Sequence, residues 1–125
     1  AEELRVASRG HDVPRGVWIR PMGVESGLFH PGRRTPENRR ALEGRTGAAP
    51  ETALLLYVGR LAPEKNLPLL MDAAEQLLRE GRDFRVIVAG DGPLRNELQQ
   101  EAARRLPGCV EFLGHMGGRE ELADL

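Results

Sequence analysis

Two cationic side chains follow an apolar run in the middle of the chain. Arg60 and Lys65 lie in the segment Gly59-Arg-Leu-Ala-Pro-Glu-Lys-Asn66, and Lys65 is the only lysine among the 18 cationic residues. A guanidinium offers a planar fork of donors and an ammonium offers a compact charge, so the pair could bind a diphosphate. The alternative is a solvated loop in which Lys65 pairs with its neighbour Glu64. The residues alone favour the solvated loop.

A glycine-rich segment, Gly90-Asp-Gly-Pro93, follows a second apolar run. It departs from the dinucleotide-binding pattern G-x-G-x-x-G because Arg95 stands at the third glycine position. We therefore interpret Gly90 and Gly92 as a tight turn with a helix beginning at Pro93, and close approach of the backbone to a ligand is the alternative.

The loop at residues 114–118 follows a third apolar run and contains three glycines. Its backbone is flexible enough to lie against a flat ring, and His115 and Met116 could contact a base. A surface turn is the simpler interpretation of this loop from the sequence alone.

Other kinds of site find little support in the sequence. The three histidines, His11, His30 and His115, lie in separate segments without a carboxylate or thiol at ligand spacing, so no metal site is expected. The single cysteine, Cys109, is predicted to be a small core residue. A net charge of −1, with arginine pairs that lack interleaved aromatic residues, argues against a nucleic-acid partner. No P-loop and no nucleophile elbow is present.

The elements that must position these loops are visible as hydrophobic patterns. Residues 53–58, 84–89 and 109–113 are short apolar runs, each followed by glycine, and they predict three strands. The first run is nearly continuous and is expected to be covered on both faces. Apolar residues at helical spacing predict helices at 66–80 and 93–106, the first with Asn66 as its N-cap. Alternating strands and helices with short links predict a doubly wound, Rossmann-like parallel α/β sheet with right-handed crossovers.

The chain divides into two parts of different character. Residues 1–50 are rich in Gly, Pro and Arg and predict an irregular segment with one short strand at 16–19 and a short helix at 37–44. Residues 51–125 predict the β-α-β-α-β core. Residues 118–125 begin a further helix, and a sheet this small leaves an apolar edge uncovered. We therefore expect the chain to be part of a larger domain, truncated at its C-terminus, within a longer parent protein.

Four stretches together resemble one protein family. Residues 20–31 are similar to its N-G-V-D…F-x-P segment, with Met22 and Glu25 where Asn and Asp are common. Residues 55–66 are similar to its G-R-L-x-x-E-K-G motif, 86–93 to its strand leading to G-D-G-P, and 110–114 to its V-x-F-x-G strand. The family is the retaining GT-B glycosyltransferases of family 4, also called glycosyl transferases group 1. The resemblance covers the first part of its C-terminal, nucleotide-sugar-binding domain.

The resemblance implies transfer of a sugar from a UDP- or GDP-linked donor to an acceptor with retention of configuration and without a metal. It also implies roles for residues of the three loops. Arg60 and Lys65 would bind the donor diphosphate, supported by Gly59 and Glu64. Gly114, His115 and Met116 would lie along the base, while Gly90 and Gly92 would shape the cleft. The form of residues 20–31 looks most like mannosyl- and sulfoquinovosyl-transferases.

One feature of the family is absent. Its E-x7-E carboxylates, which act on the donor sugar and ribose, have no counterpart here, because Glu43 and Glu51 have the spacing but precede the first core strand. The acceptor-binding domain of the same parent chain is missing as well. We therefore expect the isolated chain to be inactive and the parent protein to be an enzyme.

Two alternatives remain open at this stage. One is a GT-B relative that epimerises or hydrolyses nucleotide sugars, and the other is a non-enzymatic α/β module that binds nucleotides. No run approaches the ~18 apolar residues of a membrane span, and no secretory signal is recognised. We therefore expect a cytoplasmic location. Contact of the parent protein with the inner membrane would follow from a lipid acceptor.

Overall fold

A three-stranded parallel sheet forms the centre of the computed structural model, which describes residues 23–125. The strands are β1 (Ala53–Val58), β2 (Phe84–Ala89) and β3 (Val110–Gly114), and their order in the sheet is β1-β2-β3. Both pairings are parallel, which confirms the predicted α/β class. The strand predicted at 16–19, His11 and residues 20–22 lie outside the described residues.

Within residues 23–125, four helices accompany the sheet: α1 (Pro36–Thr46), α2 (Leu67–Arg79), α3 (Arg95–Arg105) and α4 (Arg119–Ala123). Short 3-10 turns occur at Pro31–Arg33 and Pro63–Lys65. Thr35 caps α1, since its hydroxyl accepts a hydrogen bond from the N–H of Asn38 at 3.2 Å. None of the helices within residues 23–125 is long and apolar enough to cross a membrane.

The start of α2 differs from the prediction. Asn66 makes no side-chain cap and instead adopts a left-handed backbone with φ 48° and ψ 45°. Asparagine tolerates this conformation better than other side chains do, while glycine adopts it without strain. This geometry explains why the motif that residues 55–66 resemble has glycine where this chain has Asn66.

The start of α3 and the bounds of β3 also shift slightly. The helix begins at Arg95 rather than Pro93, and the N–H of Leu94 before it donates to the carbonyl of Leu61 in the neighbouring loop at 3.0 Å. Strand β3 begins after Cys109, whose N–H donates to Leu106 in the turn that ends α3. Such shifts of one or two residues are usual at element ends.

The main core lies on one face of the sheet, under α2 and α3. Its buried members come from both helices, from β2 and from the loops between them: Leu61, Leu67, Met71, Ala74, Phe84, Val86, Val88, Leu98, Ala102, Leu106 and Cys109. Cys109 is therefore the core residue that was predicted. Ile87 points to the opposite face, on the side where α1 contacts β3.

The prediction that β1 is covered on both faces is wrong. Leu55, Leu56 and Val58 are 37%, 45% and 49% exposed. The reason is position, since among residues 23–125 β1 is an outer strand of the sheet, whereas β2 is the central strand and has five of its six residues buried. In the part of the chain that the structure describes, these side chains form an exposed apolar edge of the sheet.

Ion pairs tie α2 to α3. Arg105 donates to Asp72 and Glu101 at 2.6 Å each, and it also contacts Glu75. These carboxylates, Asp72 foremost, raise the pKa of Arg105 further above its usual range. Much of the arginine content of the described residues is used in such surface pairs, each of which contributes little stability by itself.

Candidate functional site

A cleft of about 450 Å³ opens where the three parallel strands end. Its lining comes from the residues at and after each strand's carboxyl end and from α4: Val58, Gly59, Arg60, Ala89, Gly90, Asp91, His115, Met116 and Leu122. We call it the strand-end cleft. Ligands of open parallel sheets bind at this edge, because the loops converge there.

Backbone hydrogen bonds continue past the ends of the strands and join the loops. The N–H of Gly59 donates to Ala89 at 3.0 Å, and that of Leu61 donates to Asp91 at 2.9 Å. On its other side, the second loop is bonded to the end of β3, where the N–H of Gly90 donates to the carbonyl of Gly114 at 2.7 Å. The floor of the cleft is therefore an extension of the sheet, held by the same bonds that hold the strands.

The glycines of the second loop are required by this close approach. A Cβ atom on Gly90 would lie 1.9 Å from the carbonyl oxygen of Gly59, and one on Gly92 would lie 2.4 Å from that of Leu61. Neither distance is compatible with a side chain. The contact is between two loops of the same sheet edge, so it needs no ligand to explain both glycines. Gly92 does not line the strand-end cleft, whereas Gly90 does.

A bulge in β3 directs the third loop. Val88 pairs with Phe112 and Ala89 pairs with Gly114, so Leu113 is an extra residue in the ladder. Gly114 then has a φ of 77°, which favours glycine. Gly114 itself is buried outside the cleft lining, while His115 and Met116 line the cleft.

Sequence reasoning missed Asp91, which places a half-exposed carboxylate in the strand-end cleft. Its Oδ1 accepts the N–H of Gly92 at 2.7 Å, and its Oδ2 accepts a guanidinium N–H of Arg95 at 2.9 Å. The hydrogen bond from Gly92, assisted by Arg95 and by His115, holds the pKa of Asp91 below its usual value, while partial burial opposes this shift. Its position one residue after a strand-end glycine was the signal that could have identified it.

We predict that Asp91 titrates below an ordinary aspartate. Because the folded pKa is lowered, its contribution to stability is present above the unfolded pKa and is lost as pH falls through the folded pKa. Carbon-13 NMR of the side-chain carboxyl should show the low value. In Arg95→Ala the pKa should rise only part of the way, since the Gly92 hydrogen bond remains. A normal pKa in the unaltered chain would contradict this geometry.

The structure separates the two predicted phosphate-binding cations. Arg60 lines the strand-end cleft, while Lys65 and its neighbour Glu64 do not. Lys65 ends the 3-10 turn Pro63–Lys65 on the same loop and is exposed. None of the ion pairs within residues 23–125 includes Arg60 or Lys65. The pairing of Lys65 with Glu64 that a solvated loop would use is therefore not among them.

A second cleft, of about 260 Å³, lies between α1 and the last residues of the chain. Its guanidiniums belong to Arg33, Arg34 and Arg39. Arg33 contacts Asp124, and Arg39 pairs with Glu43 and three backbone carbonyls. Each cleft thus has one arginine outside the ion pairs of residues 23–125, Arg34 here and Arg60 in the strand-end cleft. The strand-end cleft is preferred because it lies at the sheet edge where ligands of open parallel sheets bind.

Metal-binding residues do not gather in the described part of the chain. Between residues 23 and 125, no three His, Cys, Asp or Glu side chains form a group that could hold a metal ion. Independence of a metal nevertheless stays a prediction, because it concerns the reaction of the parent protein.

Comparison with known families gives a match over most of the described residues. The model of the family described as "Glycosyl transferases group 1" matches residues 38–125.

Curated relatives are sugar-transferring enzymes. The chain is 37% identical over 105 residues to the GDP-mannose-dependent alpha-(1-6)-phosphatidylinositol dimannoside mannosyltransferase of Mycobacterium tuberculosis, covering 84% of this chain and 26% of the relative. It is 36% identical over 107 residues to the GDP-mannose-dependent alpha-mannosyltransferase of Corynebacterium glutamicum, and this match covers 85% of this chain and 22% of the relative. The chain thus spans about a quarter of the length of the curated relatives it matches.

Solved structures share the fold. The Anabaena protein HepE, crystallised with UDP and glucose, matches with a TM-score of 0.63 and 23% identity, over 82% of this chain and 27% of that chain. WaaG, a glycosyltransferase involved in lipopolysaccharide biosynthesis, matches with a TM-score of 0.54 and 19% identity, over 76% and 26%. At these identities the similarity shows a common α/β architecture.

Proposed function

The chain belongs to the glycosyl transferases group 1 family, and on that premise we propose that it binds the nucleotide-sugar donor of a retaining GT-B glycosyltransferase of family 4. Residues 51–125 would be the leading part of the donor-binding domain, preceded by the segment 1–50. The observation that supports this most is Arg60, which lines the strand-end cleft and takes no part in the ion pairs of the described residues.

In this proposal Arg60 and Lys65 neutralise the donor diphosphate. Negative charge grows on the diphosphate as the bond to the sugar breaks, and fixed cations stabilise that charge more in the transition state than in the ground state. The rigid backbone around Gly59 and Gly90 supports this role, because a preorganised cation needs little rearrangement during the reaction. Lys65 would reach the diphosphate from the edge of the cleft, along its flexible side chain.

The third loop would lie along the base. His115 and Met116 line the cleft and follow the bulge at Leu113, whereas Arg60 comes from the first loop. Two of the relatives are named as GDP-mannose-dependent, and HepE was crystallised with UDP and glucose. GDP-mannose is therefore the first donor to test and UDP-glucose the second.

Other parts of the reaction would come from the rest of the parent protein. Glu43 is paired with Arg39 in α1, and neither Glu43 nor Glu51 lines the strand-end cleft. We propose that the E-x7-E carboxylates and the acceptor-binding residues lie elsewhere in the parent protein, which agrees with the quarter length of the relatives that this chain spans. Contact with a membrane lipid acceptor belongs to the same proposal.

The test is a donor assay on the parent protein. With GDP-α-D-mannose or UDP-α-D-glucose, a lipid extract as acceptor, and EDTA present, we expect acceptor-dependent release of GDP or UDP. NMR of the glycosylated product should show the α configuration. Release of free sugar or its epimer as the main product would instead support the epimerase or hydrolase alternative. Binding of nucleotide without any turnover would support the non-enzymatic module.

A further inference from the structure

We propose that Tyr57 is a positioning residue for Arg60: its hydroxyl holds the backbone of Arg60 so that the guanidinium points into the strand-end cleft. This inference rests on the proposed function of Arg60 in binding the donor diphosphate. It adds a residue that has no direct contact with the ligand and that the sequence patterns did not single out.

The ring of Tyr57 provides the anchor. Tyr57 belongs to β1, and its half-buried side chain packs against the main core under α2 and α3. Its hydroxyl donates to the carbonyl oxygen of Arg60 at 3.1 Å. The hydroxyl oxygen of Tyr57 also lies 3.1 Å from the position that a Cβ on Gly59 would take, so the hydroxyl lies close to the start of the loop.

The backbone of Arg60 is thereby held from more than one side. Its carbonyl also accepts the N–H of Ala62 at 3.1 Å, and the next residue, Leu61, is bonded to Asp91 in the second loop. The hydrogen bond from Leu61 to Asp91 fixes the distance between the two loops, while the hydrogen bond from Tyr57 connects Arg60 to the core. Side chains that bind a ligand accurately depend on such supporting contacts.

The hydroxyl remains a donor under ordinary conditions. Burial of the ring end, assisted by the negative charge of Glu64, raises the pKa of the Tyr57 phenol above its usual value. The hydrogen bond to Arg60 therefore persists through neutral and mildly alkaline pH. Glu64, assigned a supporting role by the family resemblance, acts in the same direction.

The test is a double-mutant cycle in the parent protein. Binding of GDP and UDP is measured by calorimetry, and binding of guanosine and uridine by saturation-transfer NMR, for the unaltered protein, Tyr57→Phe, Arg60→Ala and the double variant. The phenylalanine keeps the packed ring and removes only the hydroxyl. Thr46→Val is the matched control, because the Thr46 hydroxyl also donates to a backbone carbonyl, that of Leu42 at 2.7 Å, away from the cleft.

We expect Tyr57→Phe to weaken nucleoside diphosphate binding by about threefold to tenfold and to leave nucleoside binding unchanged. In the Arg60→Ala background it should produce no further loss, and Thr46→Val should have no effect. The inference would be overturned if the affinity loss of the double variant equalled the product of the two single-variant losses. It would also be overturned if Tyr57→Phe weakened nucleoside binding as much as nucleoside diphosphate binding. If Arg60→Ala weakens binding and Tyr57→Phe does not, the positioning role of Tyr57 is refuted while the proposed role of Arg60 stands. If Arg60→Ala has no effect, the proposed role of Arg60 fails, and the role of Tyr57 fails with it.

Discussion

Replacing Arg60 and Lys65 together with alanine should weaken the binding of GDP or UDP to the parent protein by about 1–3 kcal/mol, or roughly 5- to 150-fold. The reason is that the diphosphate loses the guanidinium at the end of β1 and the only lysine of the chain. Calorimetry with both nucleotides measures the effect. The loss should be larger for the diphosphate than for the corresponding nucleoside.

The matched control for this double change is Arg45→Ala with Arg104→Ala. Both arginines are exposed, neither lines the strand-end cleft, and the net charge changes by the same amount. This control should bind the nucleotides as the unaltered protein does. Equal affinity of the Arg60 and Lys65 double variant and the unaltered protein would refute the assigned role of the two cations. An equal loss in the control would indicate a general effect of net charge.

Gly90→Ala should destabilise the chain strongly. The added methyl would lie 1.9 Å from the carbonyl oxygen of Gly59, on a backbone whose φ of 153° L-residues rarely adopt. Overpacking and backbone strain together predict a loss of about 2–5 kcal/mol in the free energy of unfolding. Urea unfolding measures the loss, with the native sequence as the reference.

Gly117→Ala is the control for the Gly90 substitution. A Cβ at Gly117 would meet no atom within 4 Å, and Gly117 has no positive φ. We expect a change of less than about 0.5 kcal/mol there, as at other open surface positions. Equal stability of Gly90→Ala and Gly117→Ala would show that the first two loops are not joined as closely as the structure has them.

Local patterns in the sequence predicted the sheet and the two core helices well. The runs 53–58 and 84–89 coincide with β1 and β2, and the apolar spacing after Asn66 identified the buried face of α2. Such features depend on residues near one another in the chain. The exposure of β1 is not such a feature, because it depends on how many strands flank β1 in the sheet.

Backbone conformation and contacts between loops were the parts that the sequence could not supply. Asn66 occupies the N-cap position that its residue type predicts, but its backbone is left-handed and its side chain makes no cap. Gly90 was identified as a turn glycine, but the reason for it is the carbonyl of Gly59, which lies 31 positions earlier in the sequence. The contacts of the Tyr57 hydroxyl and of the Asp91 carboxylate likewise depend on how the loops come together at the ends of the strands.

The resemblance to a family supplied what neither composition nor spacing could. From the residues alone, the simplest interpretation of Arg60 and Lys65 is a solvated loop in which Lys65 pairs with Glu64. The structure adds that Arg60 lines the strand-end cleft and that Lys65 does not. The two cations are thus unequal, and we expect Arg60 to contribute more to binding than Lys65.

The central claim is that the strand-end cleft binds a nucleoside diphosphate through Arg60 and Lys65. A crystal structure of the parent protein with GDP or UDP tests this most directly. We predict diphosphate oxygens within hydrogen-bond distance of the Arg60 guanidinium and the Lys65 ammonium, with the base along His115 and Met116. A diphosphate bound in the second cleft, against Arg33 and Arg34, or held without contact to Arg60, would contradict the claim.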